Sequence, residues 1–401
     1  MTSSLPIIDE RLLKQLIDFR RNLHEYPEVS GEEYETSKKI QDLLTKQGIP
    51  FQSGYANTGV LGIIKGGKPG PTVALRADID ALPITEKTNL TFSSKKERKM
   101  HACGHDAHTT MLLGAGILLN ERKDELSGTV LLVFQPAEEA SPKGGAQPMM
   151  DEGVFAEYEP NVIFGQHVWP DLPVGQIGIR DKEMMGATDR FKVVINGAGG
   201  HASMPHQTND AIIAANHVVT MLQTIVSRNI NPIEAAVVTI GRIEGGYRYN
   251  VIADSVTLEG SIRTYKKQVK EVVKKRFHEV VDNAAKALGA TAEIDYIDGY
   301  EATINTPEWA EVVRSCAQQA LDSEAATPNV DPSLGGEDFS RFLHKYPGAF
   351  FWLGSAIEGR ESQKPLHDPK FEFNEKALPI GVKMLVDITK KALEKLQNEK
   401  K

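Results

Sequence analysis

Residues 100–108 read MHACGHDAH, so nine positions carry His101, Cys103, His105 and His108, including one of the chain's two cysteines. Thiolate and imidazole together are the donors that a borderline divalent cation prefers. Cys103 and His105 are two positions apart, so an extended or turning segment points both side chains the same way. Taken singly, His101 or His108 reads as a surface or satisfied core histidine, and Cys103 as a small buried hydrophobe. Other groups change that reading. TVALRAD ends at Asp78 with Asp80 two residues on, TVLLVFQPAEE ends at Glu138 and Glu139, and VIFGQH ends at His167. A glutamate pair allows a division of labour. One carboxylate binds the metal, and its neighbour stays unligated to take a proton from water acidified to a pKa of about 7.

Each of these groups follows a short apolar run. VLGIIKG (60–66) and TVALRAD (72–78) read as strands joined by the turn GGKPGP, and TVLLVFQP (129–136), VIFGQHV (162–168) and AFFWLGS (349–355) are continuous apolar runs. Such runs predict strands buried on both faces, hence a largely parallel sheet covered by helices. Ligands bind such sheets beyond the carboxyl ends of the strands, which is where the acids and His167 fall. Helices are predicted at about 9–24, at 32–47 with Ser30 and Glu33 as a capping box, over MLLGAGILLN, and at about 375–397. From Asp189 the pattern changes. DRFKVVING, a helix NDAIIAANHVVTMLQTIVSR, two partly alternating strands, a long amphipathic helix and ATAEIDYIDGY give the order β-α-β-β-α-β. That is the ferredoxin-like pattern. At 401 residues the chain exceeds what one core usually supports. The expected organisation is an α/β domain of 1–184 and 302–401 with an inserted domain of 185–301.

Composition excludes several functions. The net charge is −8, and the basic stretches Lys95–Lys99 and Lys266–Arg276 are short and broken, so they read as solvated faces rather than a nucleic-acid surface. The opening MTSSLPIIDERLLKQLIDF has helical apolar spacing and no signal-peptide pattern, and no stretch approaches the ~18 apolar residues of a membrane span. Two cysteines do not make a disulfide scaffold, and a reducing cytoplasm is the simpler setting. The GAGG run at 197–200 lacks the lysine and spacing of a phosphate loop.

RADIDALP (76–83), MHACGHDAH, FQPAEE (134–139), GQHVWP (165–170), GAGGHASMPH (197–206), SIRT (261–264), GGEDF (335–339) and HDPKFEFNE (367–375) resemble, in order, the M20 metallopeptidase family. They are most similar to its aminoacylase/amidohydrolase branch. The resemblance implies two α/β domains, a catalytic α/β/α domain and a ferredoxin-like lid that also mediates homodimerisation. It implies two divalent metal ions, Zn2+ or Mn2+ first and Co2+ or Ni2+ next. Cys103 would bridge them, and His105, Glu139, His167 and His367 would complete the ligands. Glu138 would be the general base. Other branches place a ligand histidine where Asp78-Ile79-Asp80 stands here, and His105 takes that role; Asp80 would orient a ligand, while Asp78 is left without one. His201 would polarise the scissile carbonyl, although without the resemblance it reads as a helix-cap histidine. Asn250 and Arg263 would hold the substrate carboxylate, with Ala253 standing where the family often has proline.

The expected activity is hydrolysis of an N-acyl amino acid to a carboxylate and a free amino acid. Three rivals are weighed against it: a dipeptidase or carboxypeptidase of the same family, a non-catalytic metal-binding homologue, and a thiol redox sensor built on Cys103.

Overall fold

The computed structural model describes residues 8–321 and 323–399. The reading of the first seven residues therefore lies outside the described residues. The chain divides into two units. The first runs to Met184 and takes in Ile304–Asp331 and the chain from Asp338 onward. The second is Met185–Thr303 with Pro332–Glu337.

The first unit carries a seven-stranded sheet in the order Phe51–Tyr55, Gly59–Lys65, Ser127–Gln135, Lys68–Asp78, Val162–Trp169, Gly348–Gly354, Ile177–Gly178. The four strands from Ser127–Gln135 to Gly348–Gly354 are parallel. Val73, Leu75, Leu131, Val133, Phe164 and Phe351 on these strands are fully buried, which requires cover on both faces. Two adjacent residues show that cover, because successive strand residues face opposite sides. Gly165 lies against Phe339 of the helix Phe339–Lys345. Gln166 lies against Gly381 of the helix Leu378–Asn398 and Met111 of the helix His105–Glu121. The unit is an α/β/α layer structure. Register then levels the strand ends: Asp78 pairs with Gln135, and Arg76 with Gly165, so Asp78 stands level with His167.

The sequence leaves one strand direction open, and one local expectation is corrected. Gly59–Lys65 is as apolar as its neighbours and runs antiparallel to Ser127–Gln135. It is the second arm of a hairpin from Phe51–Tyr55, turned by Ala56 and Asn57 at φ of +45° and +79°. Burial on both faces does not encode strand direction. The correction is the capping box. The helix begins at Tyr34, and its free N–H groups are taken by Glu28, which accepts from Glu35 N at 3.2 Å and Thr36 N at 2.7 Å. Ser30 donates instead to Asp80, and Glu33 turns away to the strand ends.

The second unit is a four-stranded antiparallel sheet in the order Ala236–Gly245, Ser255–Thr264, Ala187–Asn196, Thr291–Asp298. With helices Ala211–Thr224 and Lys267–Ala287 it is ferredoxin-like. Its separate core includes Val193, Ile195, Val218, Leu258 and Phe277. The first helix ends at Thr224, four residues short of the predicted 228, where the chain widens into a π-turn over Ile225–Asn229.

Candidate metal centre

Three segments meet at the carboxyl edge of the parallel strands. The first is the loop before the helix His105–Glu121. Gly104 takes φ of +86°, and a Cβ there would stand 2.5 Å from Val168 Cγ2. Only glycine combines that conformation with that approach. The approach carries Cys103 Sγ to 3.4 Å from His167 Nε2. The second segment is the turn after Ser127–Gln135, which bears Glu138 and Glu139. The third bears His367, whose N–H donates to Ala102 O at 2.8 Å and whose φ is +68°. His367 Nε2 lies 3.1 Å from Glu139 Oε1.

The meeting produces two donor groups, Cys103 with His105 and His167, and Cys103 with Glu139 and His367. Within each group the donor atoms lie within 4.8 Å of one another. Glu138 groups with His105 and Glu139 by the same measure. The five sequence-predicted ligand residues are thus brought together, with Glu138 beside them and Cys103 common to both triads.

The neighbours supply orientation. His105 Nδ1 lies 3.1 Å from Asp80 Oδ1, while its buried Nε2 stands 3.6 Å from Asp78 Oδ2 and has no hydrogen-bond partner among the described residues. A buried ring nitrogen left without a hydrogen bond is costly unless a ligand takes it. That nitrogen, with the mixed thiolate, imidazole and carboxylate set, fits divalent cations. His108 is not free to join them. Its Nδ1 is 2.6 Å from Asp78 Oδ1, and its Nε2 accepts from Val168 N at 2.9 Å. Asp78, left without a role by sequence, accepts from Arg76 at 2.8 Å and anchors His108. His101 is buried, and burial pushes its imidazole down to about 4, so it sits neutral.

The metal-free electrostatics call for a cation. Burial, then Glu139, Glu138 and Asp78, push the Cys103 thiol well up from its usual range. Burial would depress His105, but Asp78 and Asp80 outweigh it and raise the imidazole to about 10. Protons on these two groups stand where positive charge is wanted, and a metal would release them. A thiol shifted upward is the opposite of a reactive thiolate, which counts against the redox-sensor reading.

The other three sequence-predicted residues belong to the second unit. His201 lies on a two-residue strand paired with Val251–Ile252. Its Nδ1 accepts from Ser203 N at 3.1 Å and is 2.7 Å from Ser203 Oγ, which leaves the proton on Nε2. It does not cap the following helix; the Asp210 side chain does. Asn250 Oδ1 is buried with no hydrogen-bond partner among the described residues. Arg263 is half-buried on Ser255–Thr264, and its guanidinium makes no hydrogen bond or ion pair with the described residues. Burial pushes it down, against the opposing pull of Asp189.

Residues 74–391 match the sequence profile of peptidase family M20/M25/M40. The N-acetyl-L-cysteine deacetylase of Bacillus subtilis (strain 168) is 41% identical over 397 residues, covering 99% of this chain and 92% of that protein. Thermostable carboxypeptidase 1 of Saccharolobus solfataricus is 40% identical over 368 residues, covering 91% of this chain and 92% of the other. The crystal structure of the Bacillus subtilis YxeP protein, described as a dinuclear metal-binding peptidase from the M20 family, superposes with a TM-score of 0.83 at 37% identity. That match covers 96% of this chain and 99% of YxeP.

Proposed function

The chain belongs to peptidase family M20/M25/M40, and from that premise we propose that it hydrolyses the amide bond of N-acyl amino acids, releasing a carboxylate and the free amino acid. The observation that carries the reading is the pair of donor triads sharing Cys103, with the buried Glu138 beside them. Two divalent cations, held by Cys103, His105, Glu139, His167 and His367, would supply acidification of the attacking water and polarisation of the acyl carbonyl. Glu138 takes the water's proton and passes it to the leaving amine. Asp80 orients His105 and accepts from Glu139 N at 3.0 Å. His201, with its proton on Nε2, donates to the developing oxyanion. The unpaired guanidinium of Arg263 and the Asn250 amide nitrogen hold the substrate's free carboxylate, which fixes the scissile bond.

The intact base sets this reading apart from a non-catalytic metal binder. The carboxypeptidase reading is retained because a carboxypeptidase is among the relatives. The deciding experiment is a hydrolysis panel of N-acetyl amino acids, N-benzoyl amino acids and free dipeptides. The chelated enzyme is reloaded separately with Zn2+, Mn2+, Co2+ or Ni2+, of which Zn2+ or Mn2+ is expected to serve best. Preference for N-acyl amino acids is expected. Preference for dipeptides would install the peptidase reading, and no turnover with any metal the binder.

The partner is a small molecule, not nucleic acid or membrane. Among the described residues no helix is long and apolar enough to cross a membrane. A cytoplasmic setting is consistent with two buried free cysteines. A homodimer through the second unit is supported by its edge strand Ala236–Gly245, on which Val237 and Ile243 are exposed, and by exposed Ile212, Ile213 and Met221 on the neighbouring helix. Sedimentation of the full chain tests it, and a monomer at micromolar concentration would remove it.

A further inference from the structure

Glu33 is fully buried, and although it stands at the N-cap of the helix Tyr34–Lys46, its side chain makes no capping hydrogen bond. Its Oε1 accepts from Ala137 N at 2.9 Å and Gly31 N at 2.9 Å, and its Oε2 accepts from Thr58 Oγ1 at 2.8 Å. Ala137 sits at φ of +56°, a left-handed conformation that alanine adopts only under constraint. Two residues on, Glu139 N donates to Asp80 Oδ2 at 3.0 Å, and that same oxygen accepts from Ser30 Oγ at 2.6 Å. Below the turn, Ile79 N donates to Gln135 O at 2.9 Å. Two alternate N–H groups of the turn therefore end on two buried carboxylates, and Glu138 stands between them. Placing Glu33 there is unfavourable on its own terms, since burial and the nearby Asp80 both push its carboxyl up. A buried acid kept at such a position needs compensation, and its hydrogen bonds supply it at the turn.

We infer that Glu33 is a positioning residue: with Asp80 it clamps the backbone of the 136–139 turn, and so sets the aim of Glu138 and Glu139. The inference rests on the assignment of Glu138 as base and Glu139 as ligand. It also accounts for why SGEE resembles a capping box without acting as one. Ser30 donates to Asp80, Glu33 holds the turn, and Glu28 takes over the helix start.

The test compares wild type, Glu33→Ala, Glu33→Gln and Glu138→Ala as full-length, metal-loaded enzymes. The readouts are kcat and KM on the N-acyl amino acid the wild type hydrolyses best, bound metal by elemental analysis, and the visible spectrum of the Co2+-loaded forms. Glu33→Ala is expected to lose about 10²-fold in kcat, the scale of a misplaced catalytic group, with KM within about threefold. Its Co2+ bands should shift because Glu139 moves. Glu33→Gln keeps an oxygen for the Ala137 and Gly31 N–H groups and should recover most of kcat. A purely structural role would lower the melting temperature without this kcat loss or its recovery by glutamine. Glu33→Ala with kcat within about twofold of wild type and unchanged Co2+ bands overturns the inference. If Glu33→Ala does not fold, Glu33→Asp decides: its shorter arm should lose the Ala137 bond and kcat, and wild-type kcat would refute the clamp. Glu138→Ala separates the two claims. If it turns over like wild type, the assignment of the base fails, and the clamp is then judged on the Co2+ spectrum alone.

Discussion

In the first unit Cys103, His105, His167 and Glu138 are all buried, and the neighbouring acids Asp78 and Asp80 make more than one hydrogen bond each. In the second unit the exposed His201 side chain is tied, among the described residues, only to Ser203, two residues away, and the half-buried Arg263 has no ion pair with them. On the proposed function the two regions answer to different ligands. A resident cation needs donors already dehydrated and aimed, because reorganisation at binding would weaken it. A substrate that enters and leaves each turnover needs polar groups left open for it. The difference is one of degree, since Glu139 is half-buried and His367 exposed: burial marks most of the permanent part of this chemistry, and unpaired polarity the transient part.

The largest effect should come from the base. Glu138→Ala is expected to lose about 10²–10⁴-fold in kcat while elemental analysis finds the wild-type metal content. Loss of metal alongside activity would make Glu138 a ligand and erase its separate role. Next, Arg263→Ala should cost about 10–10²-fold in kcat/KM through KM, with metal content intact; Arg263→Lys should recover only part, lacking the fork that matches a carboxylate. If Arg263→Ala strips metal, the contrast between the two regions is broken. Asp80→Asn should weaken metal affinity by about 10–100-fold in a chelator competition, because His105 loses its anchor. Unchanged affinity would mean that His105 is aimed by something other than Asp80.

The smallest effect concerns a buried charge cluster behind the ligand loop. Arg20 Nε lies 2.8 Å from Asp106 Oδ2, and His24 bridges Asp106 at 2.8 Å and Glu86 at 3.3 Å. Burial would lower His24, but Asp106 and Glu86 outweigh it and raise its pKa. A raised histidine contributes stability that is complete below its unfolded value of about 6.5 and is lost as pH climbs through the folded value. The melting temperature of the metal-free wild type should therefore exceed that of His24→Gln by more at pH 6 than at pH 9. The gap should be a few degrees, at about 2–4 °C per kcal/mol for a domain of this size. A gap that widens toward pH 9 would reverse the sign and remove His24 as a charged strut.

Much of the frame was legible locally. The continuous runs ending at Asp78, Gln135 and His167 became parallel strands, and the later alternation became the antiparallel sheet, because side-chain period and burial are properties of short segments. The direction of Gly59–Lys65 was not legible, since an apolar run is the same in either direction. Nor was the helix Pro307–Leu321 picked out, although its apolar residues Trp309, Val312, Val313 and Cys316 repeat at helical spacing. Glu33 was misassigned for a different reason. Ser-x-x-Glu before a helix has a local meaning, and a partner more than 100 residues away outcompeted it.

The sequence by itself determined which atoms could bind a cation, because softness, charge and donor type belong to single residues. It also determined that Cys103 and His105 would travel together, since they are two residues apart. Only the tertiary structure decided that His167 and His367 would fall in separate donor groups that share Cys103, that His108 would be consumed by Asp78 and Val168, and that Glu33 would face the 136–139 turn. Those outcomes depend on which buried donor finds which acceptor across the sheet edge. Hydrogen-bond satisfaction is settled among residues distant in the chain, so no local pattern carries it.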